Sequence, residues 1–305
     1  MRVCVTFVGS GTSDEYHLRR ALPTLNNVLN FLFLHPSSTQ VCLFAATITT
    51  LWLAEAAVLR GPTTGKWRHT SWNALFILSA LPIQVTMMVL SVGVANWTGR
   101  AHWGLIYLLP DPDEPLIKYG LMFFVLDLLD YLYHFTMHQV GMFWRFHLVH
   151  HTDRAVDVST TVREHPGETF IRNCFLMLWV FVCGASVEIL VLRQTAETIV
   201  NLCSHTAIRL PSRSARVLGW LFITPNLHHA HHHAQLPCTN RNFGDVFSIW
   251  DRLFGTYVTL ARTDTVFGLE PHRDGPGEVR LRALFRRGQL LLKLRRRRFE
   301  ARPAV

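Results

Sequence analysis

The chain has 305 residues, 49% of them apolar and only 17% charged, with a formal net charge of +9. Soluble domains carry about 25% charged residues, so an ordinary soluble globular domain is excluded as the first expectation. The excess charge is confined to one end: Val279–Val305 holds ten Arg/Lys and one acid, and the other 278 residues hold 20 bases and 20 acids.

In chain order, Leu22–Leu34 is apolar but too short to span a bilayer and is expected along the interface. Val41–Leu59 has one charge, Glu55, and Trp72–Trp97 has none across 26 residues. At ~1.5 Å per residue both can cross much or all of a hydrocarbon core of ~30 Å. Leu116–Phe135 follows, apolar apart from Lys118, Asp127, Asp130 and His134. The next run, Phe170–Leu192, continues to His205. These runs predict an all-α, polytopic membrane bundle with 1–115 as an N-terminal membrane region of about two spans, 116–260 as the chemical region and 261–305 as a basic tail.

Positive charge near the spans orients them. The loop Arg60–Ser71 carries Arg60, Lys66 and Arg68 with no acid and is expected in the cytoplasm; Thr98–Pro115 is acidic and belongs outside. The third span then delivers His134 to the cytoplasmic edge. For His228–His232 to meet it, Phe170–His205 must be a hairpin or a re-entrant segment, with Gly184 as its bend. The tail RLRALFRRGQLLLKLRRRRFEAR, basic and interleaved with leucine, suits anionic lipid headgroups rather than nucleic acid. Six cysteines form no CxxC pair and read as structural thiols. No signal-peptide layout opens the chain.

Seventeen histidines occur, twelve of them between 134 and 233. HFTMH gives His134 and His138; HLVHH gives His147, His150 and His151; HHAHH gives His228, His231 and His232. Spacings of three and four place such rings on one helix face. In each HxxHH the first and last can chelate one ion while the middle ring reaches a neighbour. Asp127 and Asp130 share the face of His134 and His138, and buried carboxylates need partners, so they are expected to hold the outer nitrogens of ligating rings. His205 in NLCSH is a further ligand candidate and His165 in VREHPGE a weaker one; His229 and His233 fall outside the repeated pattern. Eight to ten imidazoles with no obligatory carboxylate suit two ions such as iron, zinc or copper. No HExxH, GxSxG or phosphate loop is present. Two imidazole-bound irons suit O2 activation against an alkyl C–H bond.

The series DLLDYLYHFTMH, FWRFHLVHH, TVREHPGE, NLCSH, TPNLHHAHH and NFGDVFSIWDRLFGTY resembles the fatty acid hydroxylase / sterol desaturase superfamily over Leu116–Tyr257. The resemblance implies His134, His138, His147, His150, His151, His228, His231 and His232 as metal ligands, with His205 a ninth. It implies two iron ions (zinc being an alternative occupant of isolated protein), O2 as co-substrate and a cytoplasmic-face site acting on a membrane lipid by hydroxylation or desaturation. Asn242, Gly244, Trp250, Asp251, Phe254, Gly255 and Thr256 match its closing motif, where a turn and packing are expected. The chain departs from many members at Phe135, which bears on the subgroup. With no GxGxxG loop and no haem or iron–sulfur pattern, electrons must come from an external reductase and carrier. The competing class is a histidine-rich metal transporter or metal-binding protein. Transport sites sit near the bilayer midplane, whereas most histidines here lie beyond span ends.

Overall fold

A computed structural model describes residues 36–59 and 63–269. The interfacial stretch Leu22–Leu34 and the basic tail lie outside the described residues. The chain divides into two units, Met1–Ala46 and Thr47–Val305; the described residues of the first, 36–46, are the opening turns of a helix, and the second carries the bundle and every histidine discussed below.

Helix α1 covers Pro36–Leu59 and α2 covers Thr63–Ala101. Two described helical segments, Gln40–Leu59 and Gly65–Leu108, are long and apolar enough to cross a membrane. Leu53, Val58, Leu75, Leu78, Val85 and Val89 are exposed on them, an outward apolar surface that water would disfavour and lipid accepts. At 39 residues α2 is about 58 Å long, longer than a hydrocarbon core of ~30 Å, and its first turns reach the histidine-bearing end.

After a short 3₁₀ helix (Leu105–Leu108), a π-helical turn at Leu116–Leu121 leads into α3, Met122–Gln139. Val140, in extended conformation, breaks the helix and α4 follows at Gly141–His151. A second 3₁₀ turn, Val158–Val162, is capped by Asp157, whose carboxylate accepts from Ser159 N–H. Helices α5 (Pro166–Cys183) and α6 (Val187–His205) form a hairpin whose bend is Gly184, left-handed at φ 73°. The bend packs on the loop after α2: a Cβ on Gly104 would lie 2.3 Å from the Gly184 nitrogen. Around this end Ala95, Ile106, Met122, Leu126, Val180, Cys183, Ala185 and Ile189 form an apolar core. No residue of the histidine groups lies there.

The rest of the chain is short pieces: α7 (Ser212–Leu218), α8 (Pro225–His231), a 3₁₀ turn at Cys238–Asn240 and α9 (Ile249–Leu253). Two isolated bridges are the only β-type pairing among the described residues. Because these pieces are too short to be stable alone, buried carboxylates organise them. Asp251 accepts from Phe243 N–H at 2.7 Å, Gly244 N–H at 2.9 Å and the Thr256 hydroxyl at 2.7 Å. Asn242, at φ 53°, donates to Leu227 O and Val258 O. The closing motif is thus a turn and packing unit.

Asp127 and Asp130 correct one sequence expectation. Asp127 accepts from Val246 N–H, Phe247 N–H and Trp250 Nε1, the last at 2.7 Å. Asp130 pairs with Arg193 of α6, which also meets Glu197 at 3.1 Å. Among the described residues neither is bonded to a histidine. Sharing a helix face sets direction but not depth: Asp127 lies seven residues, about 10 Å, along the axis from His134, where its neighbours are the closing segment and α6. Asp127→Ala would orphan three buried donors and is expected to cost on the order of 3 kcal/mol. Trp250→Phe, removing one donor, is expected to cost about 1 kcal/mol. Melting temperatures in detergent check the order.

Candidate metal centre

The opposite end of the bundle gathers nine imidazoles. The ligand atoms of His134, His138, His147, His151 and His231 lie within 4.8 Å of one another, and so do those of His150, His205, His228 and His232. All nine ligand candidates singled out by spacing and resemblance are therefore brought together, in two groups. The HxxHH logic holds: His147 and His151 share the first group while His150 joins the second; His228 and His232 share the second while His231 joins the first.

Their elements converge for local reasons. In α3 and α4, separated by one extended residue, the chain turns back so that His134 Nε2 lies 3.2 Å from His147 Nε2. Thr224 caps α8, accepting from Leu227 N–H, and Pro225 occupies its first turn, so a helix of only seven residues presents the third box. His205 ends α6, where the hairpin returns to this end.

The outer nitrogens decide what the inner ones can do. The Nδ1–H of His134 donates to Phe243 O at 3.0 Å, that of His205 to Asn201 O at 2.8 Å and that of His231 to Arg241 O at 2.7 Å. His147 Nδ1 meets Glu168 Oε1 at 2.6 Å, and His138 Nδ1 meets Asn240 Oδ1 at 3.3 Å. A carbonyl accepts only from a protonated nitrogen, so each such anchor leaves the lone pair on Nε2, aimed inward.

Nε2 atoms run in contact: His151 to His147 at 3.2 Å, His150 to His205 at 3.1 Å, His205 to His228 at 2.9 Å and His228 to His232 at 3.1 Å. Lone pairs that close repel unless a cation lies between them. Two nitrogens at about 2.1 Å from one ion, a right angle apart, are about 3.0 Å from each other, so the spacing fits. His231 Nε2, fully buried, has no hydrogen-bond partner among the described residues. Burial first, then neighbouring histidines, holds His150, His151, His228, His231 and His232 well below the usual imidazole range, and burial brings His147 down to about 3. The rings are neutral at physiological pH, the state a metal requires. Both groups consist of histidine alone, a donor set that suits iron, zinc or copper rather than calcium or magnesium.

His165 does not join either group. It caps α5, its Nδ1 accepting from Gly167 N–H at 2.9 Å, and its ring lies on Phe146. An HPGE segment opens a helix, and that local demand places the ring away from the cluster. His229 accepts from Arg209 Nε at 2.9 Å and His233 from Val266 N–H at 3.1 Å; they tie down the chain beside the centre. The residue that sequence reasoning missed is Glu168. It stands in the first turn of α5, buried, against His147. Glu168→Ala is expected to weaken metal binding about 10–100-fold, whereas His165→Ala is expected to leave metal content unchanged and cost about 1 kcal/mol as a lost cap. Competitive chelation and thermal melts of the two variants check this.

The fatty acid hydroxylase family profile matches residues 119–256, which contain all nine rings. An alkylglycerol monooxygenase of Caenorhabditis elegans is 29% identical over 55% of this chain and 32% of its own length. An ornithine lipid hydroxylase of Rhizobium tropici is 28% identical over 42% of this chain and 38% of its own. Human cholesterol 25-hydroxylase is 25% identical over 58% of this chain and 64% of its own. The chain thus spans about a third of the length of the first two relatives. No solved structure matches it. Residues 119–256, just under half of the chain, are thus similar to the fatty acid hydroxylase family, the superfamily that the histidine spacing resembles.

Proposed function

We propose that this chain is an O2-dependent di-iron membrane enzyme that hydroxylates a C–H bond of a membrane lipid. The observation that carries the reading is the pair of all-histidine groups, with Nε2 atoms turned inward, at one end of a bundle built on apolar helices. His134, His138, His147, His151 and His231 would hold one iron, and His150, His205, His228 and His232 the other. Relatives named for alkylglycerol, ornithine lipid and cholesterol oxidation support a lipid as substrate. The overall change is C–H + O2 + 2e⁻ + 2H⁺ → C–OH + H2O, with the electrons supplied by an external reductase and carrier.

When bound, the irons supply O2 binding and reduction next to the substrate C–H bond. The chain's own residues do the rest. Phe243 O, Asn201 O and Arg241 O hold His134, His205 and His231 in one tautomer, so the rings need no reorganisation to ligate. Glu168 opposite His147 offsets the charge of a bound cation. Burial of both groups excludes bulk water from an oxidising centre. The centre's place at the end of the bundle, away from the apolar core around Ala95 and Val180, favours catalysis over transport. Positive charge around Lys66 and Arg68 supports a multi-pass topology with this end cytoplasmic.

The full chain purified in detergent is expected to hold close to two irons, one per group. His150→Ala and His231→Ala are expected to abolish turnover while membrane insertion persists. Untargeted lipid mass spectrometry of cells with and without the chain identifies the product: a gain of one oxygen is expected, and a loss of two hydrogens would make the enzyme a desaturase. Unchanged lipid together with metal flux in vesicles would replace the enzyme reading with transport.

A further inference from the structure

The family match begins at residue 119, yet a side chain of the first described helix reaches the metal-bearing end. Glu55 is the lone charge of Val41–Leu59 and is fully buried. A carboxylate so placed is costly unless every lone pair is used. Its partners come from three separate segments. Oε1 accepts from Ala207 N–H at 2.7 Å, the Thr206 hydroxyl at 2.9 Å and Val158 N–H at 3.0 Å. Oε2 pairs with Lys66, which continues to Asp157 at 3.0 Å.

Thr206 and Ala207 directly follow His205, the last residue of α6. A helix terminus is where the hydrogen-bond ladder ends and the chain frays. Glu55 takes up two donors just beyond that terminus. His205 Nε2 lies 3.1 Å from His150 and 2.9 Å from His228, so this ring joins α4 to α8 within the second group. The same carboxylate, through Val158 and Lys66–Asp157, holds the segment that leaves His150 and His151. The first group has four further anchors that do not involve Glu55: Phe243, Glu168, Asn240 and Arg241.

We infer that Glu55 is a positioning residue for the second histidine group, fixing His205 through Thr206 and Ala207, so that a helix outside the family domain is part of the metal centre. This rests on the two-iron reading above.

The test measures iron per chain over time against an excess of chelator, using full-length protein in detergent, with circular dichroism and gel filtration as fold controls. Wild type is compared with Glu55→Ala, Glu55→Gln and Thr206→Val. In Glu55→Ala one iron is expected to leave about 10–100-fold faster than in wild type while the other is retained, with helicity and elution unchanged. Glu55→Gln keeps a carbonyl oxygen for the three donors and is expected to retain both irons. Thr206→Val removes one donor and is expected to release the same iron at an intermediate rate. Glu55→Ala holding both irons at the wild-type rate, or losing both together, overturns the inference. If Glu55→Ala does not fold, Thr206→Val decides, and an unchanged release rate refutes the assignment. A wild-type chain holding only one iron overturns the two-iron reading itself, and this inference with it.

Discussion

A histidine can serve a metal only with a neutral ring and a lone pair turned toward the ion, and nine rings meet that condition together only under two constraints. Water must be kept away, so that neutrality is the low-energy state, and each outer nitrogen needs a fixed acceptor, so that the tautomer does not drift. The first constraint holds across the centre, where His138, His151, His205, His231 and His232 are almost wholly buried. The second is met at five rings, His134, His138, His147, His205 and His231, whose acceptors come from α5, α6 and the segment after α8; the Nδ1 atoms of His151, His228 and His232 have no hydrogen-bond partner among the described residues. The centre is therefore a property of the assembled bundle. No single helix contains it.

This dependence explains the polar groups buried beneath the centre. Phe243 O can anchor His134 only if an irregular segment is rigid, and Asp251 makes it so by taking the N–H groups of Phe243 and Gly244. Asp127, from α3, pins the same segment further along through Val246, Phe247 and Trp250. A carboxylate that never touches a ring thus contributes to ring geometry through the backbone. Glu55 does the equivalent work on the other side of the centre, where α6 ends. Buried charges are expensive, and these three each take two backbone N–H donors that loops would otherwise leave unsatisfied, together with side-chain donors.

Much of this was legible in residue order. Rings at i, i+3 and i+4 foretold that the outer two of each HxxHH would meet and the middle one would cross to the neighbouring group. Gly184, followed by Ala185 and Ser186, marks a bend in the sequence, and in the structure it is left-handed at the end of α5. Two readings went astray for physical reasons. Asp127 and Asp130 share a face with His134 but lie two turns and one turn along the helix from it, and face says nothing of depth. His165 has the chemistry of a ligand, but as the cap of α5 its nitrogen is committed to Gly167.

What the sequence by itself determined is local: apolar runs too long for ordinary soluble helices, histidine faces set by helical period, and the order of motifs that marks the family. Those properties depend on residues within a turn or two of each other, so spacing reveals them. Only the tertiary structure decided which carboxylate meets which ring. Glu168 meets His147 across 21 residues and Glu55 meets Ala207 across 152. Such pairs form because helices dock side by side, and no local periodicity encodes which distant side chain docking will bring into reach.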